Sequence, residues 1–259
     1  MMEAEVRKAG AVPATVAVIA GRITVGAAAS DLQRLTEGPV IKIAARDLPV
    51  AAGTSASGGT TVSATAAVAD LTGITVVATG GIGGVHLGAE RTWDVSADLR
   101  ALAEYPVAVV CAGAKAICDI GKTLEYLDTA GVPVVVYRSD RFPNFYVRDS
   151  GFPAPRQIET PQQAAAILAA GRTLGRRTGL VIANPIPAGE ALREGDVEDA
   201  VGRAVERASH AGVRGGDLTP FLLAALADLT GGRSLRANLA LLGANAALAG
   251  AVAAAAAKE

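Results

Sequence analysis

The hydrophobic residues of this chain fall into short, nearly continuous runs separated by longer stretches with helical spacing. Six runs of five or six residues are rich in valine, isoleucine and alanine; they occupy 15–20, 40–44, 74–78, 107–111, 132–137 and 179–183. Runs of this length without polar alternation are typical of strands buried on both faces of a parallel sheet. We therefore predict an α/β fold with a mostly parallel central sheet covered by helices on both faces, followed by a helical C-terminal third.

Composition limits the classes of protein that the chain can belong to. Its 259 residues, 51% of them hydrophobic and with a net charge of −1, can bury a large core as a single domain spanning 1–259. Lysine and arginine are scattered, so we predict no nucleic-acid partner. Cys111 and Cys118 lack a metal-type spacing and are predicted to be buried thiols. Since no apolar secretion segment begins the chain, we expect a cytoplasmic protein.

One segment, 239–257, carries no charge and is long enough to cross a bilayer. Most of it is alanine, which favours helix without favouring lipid, and Gly243, Asn245 and Gly250 interrupt it. We therefore predict a packed C-terminal helix, for which a subunit interface is one place, and no membrane span.

A glycine-rich turn, Thr79 to His86, joins the run at 74–78 to two aspartates. Asp94 and Asp98 are four residues apart, so in a helix they would share a face, with Ser96 at the helix start. Carboxylates and a hydroxyl facing one crevice suit Mg²⁺ or Mn²⁺, whereas plain helix capping explains the same residues. His86 is either a proton carrier or a loop histidine.

A lysine ends another apolar run. Lys115 follows the small-residue turn Ala112-Gly-Ala114 and is predicted to stand where the next helix begins. The positive end of a helix dipole disfavours an ammonium, and a neutral amine can attack a carbonyl or a sugar C1.

Three further segments leave alternatives open. The run 54–61 is rich in glycine and hydroxyls and offers either phosphate donors or helix caps. Lys42 interrupts an apolar strand and is favoured as an edge or surface residue. The polar, aromatic loop 138–155 is a lid, a base-stacking surface or a segment packed on its own scaffold. Asn184, at the end of a strand, is predicted to face a ligand.

Together these stretches resemble the pseudouridine-5′-phosphate glycosidase family, also called pseudouridylate synthase or indigoidine synthase A-like. The resemblance includes ATGGIGGVH at 78–86, DVSAD at 94–98 and VCAGAK at 110–115, with further matches at 10–15, 46–49, 124–127, 183–187, 219–224 and 229–232. It implies a cytosolic homotrimer that uses Mn²⁺ or another divalent cation. The implied reaction reversibly splits the C–C glycosidic bond of pseudouridine 5′-phosphate into uracil and ribose 5-phosphate.

The resemblance also assigns roles by position. The nucleophile that forms an imine with C1 of the opened ribose falls on Lys115, and the metal ligand falls on Asp94. By a looser alignment Asn238 lines the uracil site. The remaining substrate contacts fall on Lys42, Val62, Ser96, Ala97 and Asp98.

The resemblance leaves two alternatives to the glycosidase reaction. The first is a trimeric relative that binds sugar phosphate without turning it over. The second is a Schiff-base lyase that acts on another sugar phosphate.

One departure concerns the N-terminus. The resemblance implies a preceding strand with a Glu-Ser-Thr motif whose glutamate donates a proton, and the sequence from Met1 begins after the position of that strand. We therefore expect a chain that is N-terminally truncated relative to the family, either because the true start lies upstream or because the protein lacks this strand. Because loss of a general acid costs on the order of 10²–10⁴ in rate, we expect this chain to turn over pseudouridine 5′-phosphate that much more slowly than an upstream-extended version. Uracil release measured for both chains tests this, and equal rates would refute it.

Overall fold

The computed structural model describes residues 1–213 and 218–258. The strands are β1 Val16–Ile19, β2 Arg22–Val25, β3 Ile41–Ile43, β4 Gly58–Thr60, β5 Val76–Ala78, β6 Ala108–Cys111, β7 Val134–Tyr137, β8 Gln157–Ile158 and β9 Leu180–Ala183. The helices are α1 Met2–Lys8, α2 Ala29–Glu37, α3 Leu48–Gly53, α4 Val62–Thr72, α5 Ala89–Thr92, α6 Ala97–Glu104, α7 Ile120–Thr129, α8 Pro161–Thr173, α9 Glu194–His210, α10 Leu218–Leu229 and α11 Arg233–Ala256. Short 3₁₀ turns occupy Ala45–Asp47 and Ala188–Glu190.

The central sheet has five parallel strands in the order β5-β6-β9-β7-β8. Alternate residues of strand β6, which lies between β5 and β9, enter two separate cores. Val109 and Cys111 join a core that includes residues of α4, α6, α7, α9 and α10, whereas Ala108 and Val110 join a core that includes residues of α8 and α11. Helices therefore cover both faces, which confirms the predicted fold class and explains why β6 carries no polar residue.

The N-terminal strands form a second sheet that the sequence did not predict. Its order is β2-β1-β4-β3; β1 runs antiparallel to β2 and β4, while β3 runs parallel to β4. Strand β4 lies in the glycine-rich run 54–61, for which the sequence predicted phosphate donors or helix caps and no strand. A Cβ on Gly58 would come 2.0 Å from the carbonyl oxygen of Ile41, so this strand needs glycine at a position where strand propensity disfavours it.

Helix α11 is, among the helices of the described residues, the one long and apolar enough to cross a membrane. It packs against α1, α8 and strands β5 and β6 of the central sheet. Asn245 and Val252 are fully buried on the face that makes these contacts. The predicted packed C-terminal helix is confirmed, and burial of one face accounts for its composition.

The loop 138–155 packs on its own scaffold, which decides between the alternatives left open by the sequence. Phe142, Phe145 and Tyr146 are 0–3% exposed, and the rings of Phe145 and Tyr146 meet edge to face with centroids 4.6 Å apart. The backbone N–H of Phe145 donates to the carbonyl of Ala112 at 3.0 Å. The aromatic residues thus hold the segment that leads into Lys115.

The two cysteines are free and buried, as predicted. Burial raises the pKa of Cys111 to about 12 and that of Cys118 to about 11. Both are therefore thiols at neutral pH and behave as small apolar side chains.

We expect Gly113→Ala to destabilise the protein more than Gly151→Ala. Both glycines have left-handed backbone, with φ of +83° and +81°, so alanine costs roughly 1–2 kcal/mol at either position. At Gly113 the added Cβ would also lie 2.4 Å from the carbonyl oxygen of Pro143, whereas at Gly151 no heavy atom of the described residues lies within 4 Å. Urea unfolding measures the two losses, and equal losses would contradict the predicted clash.

Candidate active site

Hydrogen bonding between the segments that follow β5 and β6 positions Lys115. Past the end of β5, the N–H of Ile82 donates to the carbonyl of Gly113 at 3.1 Å. The carbonyl of Ile82 then accepts from the N–H of Lys115 at 3.0 Å. Lys115 is therefore fixed, through the glycine-rich turn, at the carboxyl edge of the parallel sheet, where open α/β proteins bind ligands.

The predicted helix start at Lys115 is wrong. Helix α7 begins at Ile120, and Asp119 caps it by accepting from the N–H of Lys122 at 3.0 Å. Residues 115–119 form a turn in which the N–H of Cys118 donates to the carbonyl of Lys115. Lys115 is therefore not at the start of a helix, where a helix dipole was predicted to act on its amine. The apolar pattern that suggested the helix comes in part from burial of this turn, in which Ile117 and Cys118 are 2% and 4% exposed.

Asp98 lies in the first turn of α6 and connects three segments. Asp98 is only 4% exposed to solvent. One carboxylate oxygen accepts from the N–H of Ser63 at the start of α4, and the other accepts from the N–H of Gly83, both at 2.8 Å. Ser96 caps α6 by accepting from the N–H of Asp98. Two backbone donors satisfy a carboxylate that would otherwise be costly to bury.

Asp94 does not share a helical face with Asp98, contrary to the prediction. It lies before the helix cap, where Val85 and Val95 form an antiparallel bridge. Its backbone carbonyl accepts from the N–H of His86 at 3.0 Å. Its carboxylate lies 3.7 Å from Nδ1 of His86, and both aspartates still face one cavity.

His86 is 8% exposed and lines the same cavity. Burial lowers its pKa, Asp94 opposes this effect, and the positive charges of Lys115 and Lys42 add to it. A pKa below the ordinary value of 6.5 makes the imidazole mainly neutral at pH 7. It therefore presents one donor and one acceptor nitrogen beside Asp94.

Lys42 lies on β3, the edge strand of the small sheet, as the surface interpretation predicted. It also lines the cavity. Burial of its amine lowers its pKa, as does the charge of Lys115, while Asp98 and Asp94 raise it. The charges of Lys115, Asp98 and Asp94 therefore act on the amine of Lys42 across the cavity.

The cavity has a volume of about 470 Å³ and brings six predicted site residues together: Lys42, Asp94, Ser96, Ala97, Asp98 and Lys115. Val62 contributes its side chain to the core, but its neighbours Thr61 and Ser63 line the cavity. Asn238 does not line it, and instead its Oδ1 would lie 3.5 Å from a Cβ on Gly80. Asn184, predicted to face a ligand, donates to Oδ1 of Asn245 at 3.1 Å instead.

Among the cavity residues that sequence reasoning missed are Arg46, Asp47 and Thr219. They lie inside the motifs at 46–49 and 219–224, which carried the resemblance without an assigned role. Their membership of those motifs was the available signal. Arg46 and Thr219 are 173 positions apart in the sequence, and a local pattern cannot show that they meet in space.

A divalent cation fits the cavity if water supplies most of its ligands. Within 1–213 and 218–258, no three His, Cys, Asp or Glu side chains converge in a metal-binding arrangement. The carboxylate of Asp94 is about one third exposed, and the hydroxyl of Ser96 faces the same cavity. Mg²⁺ and ions like it are commonly held by one or two carboxylates, with water and substrate completing the shell.

A cavity lined by amines, carboxylates and hydroxyls at the carboxyl edge of a parallel sheet is typical of an α/β enzyme acting on a small polar molecule. The chain belongs to the family described as indigoidine synthase A like protein, which matches residues 1–255. This match confirms the resemblance found in the sequence.

Relatives and a solved structure extend the comparison. The chain is 53% identical to the pseudouridine-5′-phosphate glycosidase of Methylobacterium nodulans, over 95% of this chain and 73% of the relative. It is 49% identical to the enzyme of that name from Solibacter usitatus, over 96% and 83% of the two chains. The prealnumycin C-glycosynthase AlnA, solved in complex with ribulose 5-phosphate, is 37% identical with a TM-score of 0.91, covering 99% of this chain and 85% of that one.

We expect Asp98→Asn to cost roughly 1–3 kcal/mol of stability, because an amide NH₂ would face a backbone N–H in place of an accepting oxygen. Asp94→Asn is the matched control. Its carboxylate is about one third exposed, so the change should stay within about 0.5 kcal/mol. Urea unfolding at neutral pH measures both, and an unchanged stability of the Asp98 variant would contradict its assigned role.

Proposed function

We propose that this chain is a pseudouridine-5′-phosphate glycosidase that reversibly splits the C–C glycosidic bond, giving uracil and ribose 5-phosphate. The observation that carries the proposal is the amine of Lys115 in one cavity with Lys42, Asp94 and Asp98. Two relatives with that name are 53% and 49% identical to this chain over nearly its whole length.

The reaction requires covalent catalysis, because a carbon leaving group has no heteroatom to protonate. The amine of Lys115 bonds to C1 of the ribose as the ring oxygen leaves. A proton then adds at C5 of uracil, and the C1–C5 bond breaks as the nitrogen lone pair forms an iminium at C1. Water releases ribose 5-phosphate and restores the amine. Fixing the backbone of Lys115 beside the cavity supplies the orientation that this sequence needs.

The phosphate is proposed to bind between Lys42 and the first turn of α4. Thr61 and Ser63 line the cavity there, and the start of a helix offers backbone N–H groups and a positive potential. A bound dianion would favour the charged form of Lys42, whose pKa burial and Lys115 lower. The bound phosphate would thus raise the pKa of Lys42 and stabilise the ammonium that holds it.

The metal is proposed to bind at Asp94, with Ser96 or water completing its shell. Mn²⁺ or another divalent cation would supply positive charge beside the sugar hydroxyls. The charges of Lys42 and Lys115 lower the pKa of His86, which lies beside Asp94, so they act on the same part of the cavity. The carboxylate of Asp94 therefore has to attract the cation against the repulsion of these two lysines.

The trimeric state and the cytoplasmic location stay predictions. Sedimentation velocity measures the first directly. The buried thiols of Cys111 and Cys118 are compatible with the second.

The similarity to AlnA favours one second candidate, synthesis or cleavage of a C–C bond between a sugar phosphate and an acceptor other than uracil. The same lysine chemistry serves both reactions. A panel of acceptors incubated with ribose 5-phosphate distinguishes them.

We expect Lys115→Ala to abolish uracil release and to prevent borohydride trapping of ribose 5-phosphate on the protein, because no amine remains to form the imine. Lys122→Ala is the matched control, since Lys122 is half exposed and pairs with Glu90 and Asp119 outside the cavity. Mass spectrometry of the trapped protein locates the adduct. Activity that survives in the Lys115 variant would refute the imine mechanism.

We expect Mn²⁺ to quench the fluorescence of Trp93, the single tryptophan, because it precedes Asp94 directly. Trp93 is 87% exposed, so before metal is added its fluorescence is that of a solvent-exposed indole. Asp94→Asn should raise the Mn²⁺ concentration needed for quenching at least about 10-fold, as loss of a charged ligand weakens a site with few protein donors. Equal titrations of both proteins would place the metal elsewhere.

A further inference from the structure

Asn245 is an anomaly in its own helix. It is the one strongly polar side chain between Leu239 and Ala257, a segment without any charge, and it is 0% exposed. A buried amide is costly unless its groups are hydrogen-bonded, so its partners indicate why it is there.

The partners of Asn245 are the ends of strands β5 and β9. Its Nδ2 donates to the carbonyls of Thr79, at 2.8 Å, and Gly80, at 3.2 Å. Its Oδ1 accepts from Nδ2 of Asn184 at 3.1 Å. Carbonyls only accept, so the amide orientation is fixed: the NH₂ group faces the glycine-rich turn and the oxygen faces Asn184.

These side-chain hydrogen bonds adjoin the backbone hydrogen bonds between the glycine-rich turn and residues 112–115, which we call the ladder between the two turns. The carbonyl of Gly80 also accepts from the N–H of Ala112 at 2.8 Å. The backbone N–H of Asn184 donates to the carbonyl of Cys111 at 2.7 Å. The side chain of Asn245 therefore connects, directly or through one residue, the ends of three adjacent strands just before the turn that carries Lys115.

Helix α11 approaches this turn closely. A Cβ on Gly80 would lie 3.3 Å from Leu241 Cδ1 and 3.4 Å from Leu242 Cδ2. Asn238 lies on the same helical side, two turns before Asn245. Glycine at position 80 thus lets the helix reach the carbonyls that Asn245 binds.

We propose that Asn245 is a positioning residue for Lys115: its amide holds the glycine-rich turn in the register that places the amine in the cavity. The proposal rests on the proposed function for the role of Lys115. Asn245 itself lies outside the cavity and acts through Gly80 and the ladder between the two turns. Misplacement of a reacting group by about 1 Å can cost on the order of 10²-fold in rate, so a small movement of the turn is sufficient.

The test compares two changes on the buried face of α11. Asn245→Asp keeps the shape and the acceptor for Asn184 but puts an oxygen against the carbonyls of Thr79 and Gly80. Val252→Ala leaves a cavity under the same helix without touching the turn. Both proteins are assayed well below their Tm. Asn184→Ala, which removes only the contact between the two asparagines, replaces Asn245→Asp if that variant does not fold.

The first readout is the rate of borohydride trapping at saturating ribose 5-phosphate. We expect Asn245→Asp to slow it roughly 10- to 100-fold and Asn184→Ala to slow it less, while Val252→Ala stays near the wild-type rate. Trapping of Asn245→Asp at the wild-type rate would overturn the proposal. Equal slowing by Val252→Ala would do the same, because it would show a general effect of stability.

The second readout is independent of the imine. The rate of amide hydrogen exchange at residues 79–84 and 111–115 should rise in Asn245→Asp and stay unchanged in Val252→Ala. If the wild-type protein forms no imine, the proposed function fails. The amide exchange rates then decide the positioning role by themselves, and it is overturned if exchange at 79–84 and 111–115 does not rise selectively in Asn245→Asp.

Discussion

The buried carboxylate of Asp98 is the contact on which the site depends. Its oxygens accept from Ser63 at the start of α4 and from Gly83 in the glycine-rich turn. The residue before Gly83, Ile82, accepts from the N–H of Lys115 through its carbonyl. One turn therefore holds the carboxylate on one side and the lysine on the other, and a shift of either would move both. Movement of either segment would leave the buried carboxylate of Asp98 without an N–H donor. That loss would cost free energy, and the cost keeps the arrangement fixed.

The glycines of this turn are required for close approach rather than for flexibility. A Cβ on Gly83 would lie 2.2 Å from Ser96 Oγ, and one on Gly84 would lie 2.4 Å from Thr123 Oγ1. Neither glycine has positive φ, so both could adopt their backbone with a side chain. What excludes a side chain is the proximity of two hydroxyls that are themselves committed, since Ser96 caps α6 and Thr123 accepts from the N–H of Val85.

The sequence predicted what depends on regular patterns and missed what depends on contacts between distant segments. Apolar runs such as 107–111 gave the parallel sheet, and Lys115 after such a run gave the position of the amine. The helix at Lys115 was wrong because a buried turn has the same apolar spacing as a helix start. Strand β4 was missed because the need for glycine at position 58 is explained only by the carbonyl of Ile41 beside it. Neither the buried turn nor the contact with Ile41 can be recognised from a short stretch of neighbouring residues in the sequence.

Asp94 and Asp98 show how far residue type and spacing can mislead about roles. The same side chain, four positions apart, is solvated and turned toward His86 in one case and enclosed by two backbone donors in the other. A carboxylate has about four acceptor sites, so Asp98 keeps capacity for a substrate hydroxyl while its position is already fixed. The carboxylate of Asp94, about one third exposed, is the group proposed to bind the cation. The two aspartates thus differ in how firmly the backbone holds them, and this difference follows from the N–H groups that the glycine-rich turn and the start of α4 present to Asp98.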